Sequence, residues 1–107
     1  MPALIASGTQ TATIGTEHSL NTDTTNRVYI FVVDTVNMVN ADELELRINT
    51  IVLTGGTARL AYIASYSHVQ SAPIKFSVPV PADISIEITL KQTAGTGRSY
   101  PWALLAV

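Results

Sequence analysis

Residues able to do chemistry are few in this chain, and their spacing decides what they can do. His18 and His68 are the only histidines and stand fifty residues apart. Zinc sites draw their ligands in pairs at short spacing, so both histidines read as solvated loop residues and no metal is expected. Asp42, Glu43 and Glu45 form a small acidic cluster. In an extended chain Glu43 and Glu45 share one face and Asp42 takes the other, and no DxDxDG calcium loop surrounds them. A glycosidase needs two carboxylates facing across a cleft, and nothing singles out two of the eight acids. Gly95-Thr96-Gly97 lacks the lysine and helix of a phosphate loop, and neither GxSxG nor HExxH occurs. Tyr62, Tyr66, Tyr100 and Trp102 remain; such rings stack on sugars, and more often fill a core or an interface. The expectation is a protein that is not an enzyme and holds no cofactor.

The element that positions much of this set is the stretch Asp42–Tyr66. Leu44, Leu46, Ile48 and Val52 alternate with Glu43, Glu45, Arg47 and Asn49, the period of a strand with one wet face. Gly55-Gly56 is a hairpin signal, because a tight primed turn needs positive φ at both central residues. A two-residue loop pairs Thr54 with Thr57, Ile51 with Leu60 and Asn49 with Tyr62. One face then carries Leu44, Leu46, Ile48, Val52, Ala61 and Ile63. The other is charged at its base but carries Ile51, Leu53, Leu60 and Tyr62 near the tip. An apolar tip on both faces predicts a cover from elsewhere; a bulge or a longer loop would shift these faces.

Arg27–Asp34, RVYIFVVD, is a continuous apolar run of the kind buried on both faces. A two-layer sandwich covers one face only, so Tyr29, Phe31 and Val33 are assigned to a second apolar face that needs a partner. Residues 1–7 read as an extended N-terminal arm, and Ser7–Ile14 as a first strand or part of an arm. Gly15–Asn26 reads as turn, and Thr35–Ala41 as a short connection with Met38 and Val39 tucked beneath a sheet. Ile74–Val80 is an edge strand, since Pro79 and Pro81 cannot donate ladder bonds. Ile84–Lys91 is the cleanest amphipathic strand, with Ile84, Ile86, Ile88 and Leu90 inward, and Ser99–Val107 is the last strand. About seven strands with turns between them predict a single all-β domain, an antiparallel β-sandwich of jelly-roll type.

The 107 residues suffice for one domain with its own core. They are 47% hydrophobic and 13% charged, against roughly 25% charged in ordinary soluble domains. Two readings fit this: a surface partly covered by partners, or a surface rich in Thr and Ser. The six basic residues are scattered and the net charge is −2, which argues against nucleic acid, whose binding needs clustered Lys and Arg. No cysteine is present, so disulfides are excluded. The opening MPALIASGTQ is neither a secretory signal nor a membrane span, and no membrane partner is expected.

Three stretches, SGTQTATIGTEHSL, VNADELELRINTIVLTGGTARLAY and FSVPVPADISIEITLKQTAGTGRSYPW, together resemble a family of small virion-associated proteins of tailed bacteriophages found among head-structure genes. The resemblance covers nearly the whole chain and rests on its overall pattern, with no catalytic motif to carry over. It implies a structural protein of the particle, a capsid decoration (cement) protein that bridges capsomers and stabilises the head. The implied partner is the major capsid protein, and the implied location the capsid surface of a virion whose parts are made in the host cytoplasm. A homo-oligomer is expected, with a trimer favoured because capsids offer three-fold positions. A carbohydrate-binding or receptor-contact module of a phage fibre or spike is the alternative. The residues expected to meet a partner are Tyr29, Phe31, Val33, Ile51, Leu53, Leu60 and Tyr62.

Overall fold

Every regular element among residues 3–107, the part of the chain described by the computed structural model, is a strand. These are β1 (Ala3–Thr11), β2 (Glu17–Asp23), β3 (Arg27–Asp34), β4 (Glu43–Ile51), β5 (Arg59–Ser67), β6 (Ile74–Phe76), β7 (Val80–Ala82), β8 (Ser85–Ala94) and β9 (Ser99–Ala106). Sheet A has the order β1-β9-β3-β6, with β7 also on β3, and sheet B has the order β2-β8-β4-β5. All pairings are antiparallel. β6 and β7 lie along the same strand and act as one interrupted edge. Counted as one, they make two four-stranded sheets in jelly-roll order.

The core lies between the sheets. Tyr29, Phe31, Val33, Tyr100 and Leu104 of sheet A meet Leu44, Leu46, Ile48, Ile86, Ile88 and Leu90 of sheet B. The period read in Ile84–Lys91 is observed from Ser85 on: Ile86, Ile88 and Leu90 are fully buried, while Ser85, Glu87 and Lys91 turn outward; Ile84, expected inward, precedes the strand and is only half-buried.

Four expectations need correction. The strands number nine rather than about seven: Glu17–Asp23, read as turn, pairs with β8, its residues polar and Leu20 the one that packs on the core, and Ile74–Val80, read as one strand, is divided into β6 and β7 on either side of Ser77–Pro79. Of the N-terminal arm, residues 1 and 2 lie outside the described residues, while Ala3–Ser7 pair with β9. Met38 is buried as expected, but Val39 is 43% exposed. The hairpin turn is longer than Gly-Gly: Gly55 alone has positive φ, at 80°, and the Gly56 N–H donates to the Leu53 carbonyl at 2.9 Å. Its register also differs. Ile48 pairs with Tyr62 and Asn49 with Leu60, leaving Ala61 as a bulge. One residue of slip exchanges the faces of a strand, so Tyr62 turns to the core and Ile63 turns outward, 47% exposed.

Candidate interaction surface

β3 is apolar on both faces, as its continuous run demanded, but the faces are opposite to those assigned. Tyr29, Phe31 and Val33 are fully buried within the chain, at 0%, 1% and 0% exposure, and so cannot meet a partner. The face turned away from the core carries Val28, Ile30 and Val32, each only half-buried. Their cross-strand neighbours extend the same chemistry. On β9, Leu105 lies beside Ile30 and Ala103 beside Val32, with the exposed Pro101 one step on. On the interrupted edge, Phe76 lies beside Val32, Ile74 beside Asp34 and Pro81 beside Val28. Phe76 is 61% exposed. On β1, Leu4 pairs with Leu105, and the row then turns polar through Ser7, Thr9 and Thr11. Among the described residues Asp34 is the one charge in this face, at its end.

The outer face of sheet B is its opposite. Glu17, Lys91 and Glu45 stand side by side across three strands. Arg47 sits next to them, 2.6 Å from Glu45 and 3.7 Å from Glu17. The two sheets thus share one core and differ in what they offer outward: sheet B charges across β2, β8 and β4, with Leu60 and Ile63 apolar on β5, sheet A aliphatic and aromatic groups.

The remaining expected partner residues divide. Leu53 is 72% exposed at the hairpin tip, beside the exposed Val52, and Leu60 is also exposed. Ile51 is half-buried on β4. Tyr62 packs on the core and drops out of the set. The tip remains an apolar patch, smaller than the sheet A face.

The residues with chemical potential are held in structural roles. His18 lies on β2, not in a loop; its Nε2 accepts the Thr13 N–H at 3.1 Å and its Nδ1 is 3.3 Å from Gln10 Nε2. His68 Nδ1 accepts the Ala41 N–H at 2.9 Å. Asp42 is buried away from Glu43 and Glu45. Its carboxylate accepts the N–H groups of Val39 and Thr96 and the Nε–H of Arg98. Burial alone would raise its pKa, but the Val39 N–H, the Arg98 guanidinium and the Thr96 N–H outweigh burial and hold it below the usual carboxylate value. Next to it, the fully buried Gln92 donates to the carbonyls of Ala94 and Thr96 and accepts from the Arg98 N–H and the Tyr100 hydroxyl. Burial, then the nearby charge of Asp42, pushes the Tyr100 hydroxyl up to about 12. The Gly95–Gly97 turn therefore wraps a carboxylate of its own chain.

The four aromatics do not form a platform. Tyr100 is fully buried. Tyr62 and Tyr66 pack inward from β5, where Lys75 Nζ sits 5.0 Å from the Tyr66 ring centre. Trp102 lies over Gly8 of β1, in the other sheet. Among the described residues no cluster of His, Asp and Glu could hold a metal ion, and no helix is long and apolar enough to cross a membrane. Comparison with protein-family models, with curated proteins and with solved structures gave no match.

Proposed function

We propose that the chain is a structural protein of a tailed-phage particle, a capsid decoration protein that adheres to the head through the outer face of sheet A. The observation that supports this reading is the apolar face itself. Three strand positions, β9, β3 and β6/β7, about 4.8 Å apart and eight residues long at about 3.3 Å each make an apolar face of about 380 Å² in projection. The largest apolar patch on an ordinary monomer is about 300–600 Å² and is often functional. A near-chargeless sheet face of this size, opposite a charged one, is suited to adhesion by area. A decoration protein needs that property: it adds binding free energy between capsomers and does no chemistry. The jelly roll is also a recurrent architecture of viral capsid domains, and the sequence resemblance to phage head proteins points the same way. A trimer at three-fold positions of the shell is the arrangement we favour.

The test is co-sedimentation of the purified protein with heads that lack it, followed by imaging of the decorated particle. Wild type should bind and Ile30→Lys, which places a charge in the middle of the face, should not. Equal binding by both would overturn the reading.

A further inference from the structure

A sandwich of two open sheets has edge strands, and unpaired edges recruit other strands unless they are blunted. Here the edges are β1 and β6/β7 in sheet A and β2 and β5 in sheet B. β1 is bulged between Leu4 and Ala6. β2 is bulged between Ser19 and Asn21 and carries Glu17 and Asp23. β6/β7 is interrupted and contains Pro79 and Pro81. β5 differs. Past the Ala61 bulge, Tyr62–Ser67 runs in unbroken register with β4, without proline or charge.

The ladder fixes which backbone groups are free. The His68 N–H donates to the Asp42 carbonyl at 2.9 Å. Hydrogen-bonded pairs alternate with non-bonded pairs in an antiparallel ladder. Tyr66, Ala64 and Tyr62 therefore direct their N–H and C=O groups to β4, and Ile63 and Ser65 direct theirs outward, as does Ser67, whose carbonyl already accepts from Gln70 Nε2 at 2.7 Å. Among the described residues β5 pairs with β4 alone.

We propose that β5 pairs antiparallel with β5 of a second copy of this chain, about a two-fold axis at Ala64. The occupant follows from self-complementarity, which a two-fold contact requires. The segment Tyr62-Ile63-Ala64-Ser65-Tyr66 reads Tyr, Ala, Tyr along one face in either direction. Centred on Ala64, the outward groups of Ile63 meet those of Ser65 of the other copy, making the hydrogen-bonded rings. Ala64 meets its own counterpart in a non-bonded pair, where Cα atoms approach to about 4.5 Å and a methyl group fits. Tyr62 lies opposite Tyr66 of the other copy on both sides of the axis, an aromatic cross-strand pair that stabilises sheets. Sheet B becomes one eight-stranded sheet across two chains. This pairing does not rest on the capsid reading.

Light scattering coupled to size exclusion, and disulfide trapping, test it. The chain has no cysteine, so Ala64→Cys introduces the only thiol, and the axial pair lies within disulfide reach. Under mild oxidation Ala64→Cys should run on a non-reducing gel at twice the 11.4 kDa chain mass. Tyr62→Cys, which does not face itself in this register, should not. Ser65→Pro, which removes an outward N–H, should halve the mass measured for wild type. Ile30→Lys should leave the trapping unchanged, which separates this contact from the sheet A face. A wild type that stays monomeric at about 100 μM, or an Ala64→Cys chain that fails to cross-link, overturns the pairing whether or not Ser65→Pro folds.

Discussion

Arg98 donates its Nε–H to Oδ2 of Asp42 at 2.9 Å, across 56 residues of sequence, and the carboxylate is 1% exposed while the guanidinium is 30% exposed. The pair is therefore unequal. Losing Asp42 leaves a cation that water can still reach; losing Arg98 leaves an anion that water cannot. We expect Asp42→Ala to cost about 2–3 kcal/mol and Arg98→Ala about 3–5 kcal/mol, measured by urea unfolding. The pH dependence follows from the depressed pKa of Asp42. Its contribution is present above the ordinary carboxylate value of about 3.9 and is lost as pH falls through the lower folded value. In Arg98→Ala the buried carboxylate loses its counterion and its pKa rises, so melting curves from pH 7 down to 2 should show the loss starting at a higher pH than in wild type.

Gly95 and Gly55 have the same backbone demand and different surroundings. Their φ angles are 90° and 80°. A Cβ on Gly95 would stand 2.0 Å from Asp42 Oδ1, while one on Gly55 would meet nothing within 4 Å. Gly55→Ala should therefore show only the left-handed strain, about 1–2 kcal/mol. Gly95→Ala should cost clearly more, the excess reporting the displaced carboxylate. Equal thermal shifts in the two variants would show that the turn relaxes away from Asp42.

Adjacent residues of β3 should respond oppositely to the same change. Phe31→Lys puts a charge into the core and should prevent folding. Ile30→Lys should leave a folded chain, within about 1 kcal/mol of wild type, whose adhesion through the sheet A face is lost. Leu53→Asp at the exposed tip should change stability by no more than about 0.5 kcal/mol. Circular dichroism with thermal melts reads all three, and a folded Phe31→Lys would mean that the faces of β3 are reversed.

Thr89 presents a small inconsistency in an otherwise well-paired structure. It lies on the outer face of sheet B at 3% exposure, and its hydroxyl has no hydrogen-bond partner among the described residues. An unpartnered buried hydroxyl costs roughly 1–3 kcal/mol relative to an apolar group of the same shape. Thr89→Val should raise stability by about 1 kcal/mol, seen as a higher urea midpoint at unchanged slope. A loss of stability would mean that water reaches the hydroxyl.

Where one face of a strand is wet, the sequence was readable: Ser85–Lys91 shows both its existence and its orientation. In β3 the pattern has a period but no phase. Both faces are apolar, and the flanking charges disagree, Arg27 falling on the parity of Phe31 and Asp34 on that of Ile30. A second apolar face was legible from the unbroken run, but the residues forming it were not. The hairpin shows a related failure. A single bulge at Ala61 moved Tyr62 inward and Ile63 outward, and no local residue type marks where an extra residue enters a ladder. β2 was missed because an edge strand with a polar outer face resembles a loop. The Asp42–Gln92–Arg98 network had no signal at all, since its members meet only when β4, β8 and β9 are assembled.

The path of the chain through sheet A sets when the domain can form. β9 lies between β1 and β3, pairing Ala3 with Ala106 on one side and Phe31 with Leu104 on the other. Until residues 99–106 are synthesised, β1 and β3 have no common neighbour and sheet A cannot close, whereas every strand of sheet B is complete by residue 94. Among the described residues β4 and β5 are the only strands consecutive in sequence that also pair, which leaves that hairpin as the one local seed for nucleation. Such non-local pairing places refolding in the millisecond-to-second range, measurable by stopped-flow fluorescence of Trp102. During synthesis the nascent chain carries the open edge of β5, and the inward face of its hairpin, before sheet A is there to cover that face, so the strand suited to assembly is also exposed earliest to wrong partners.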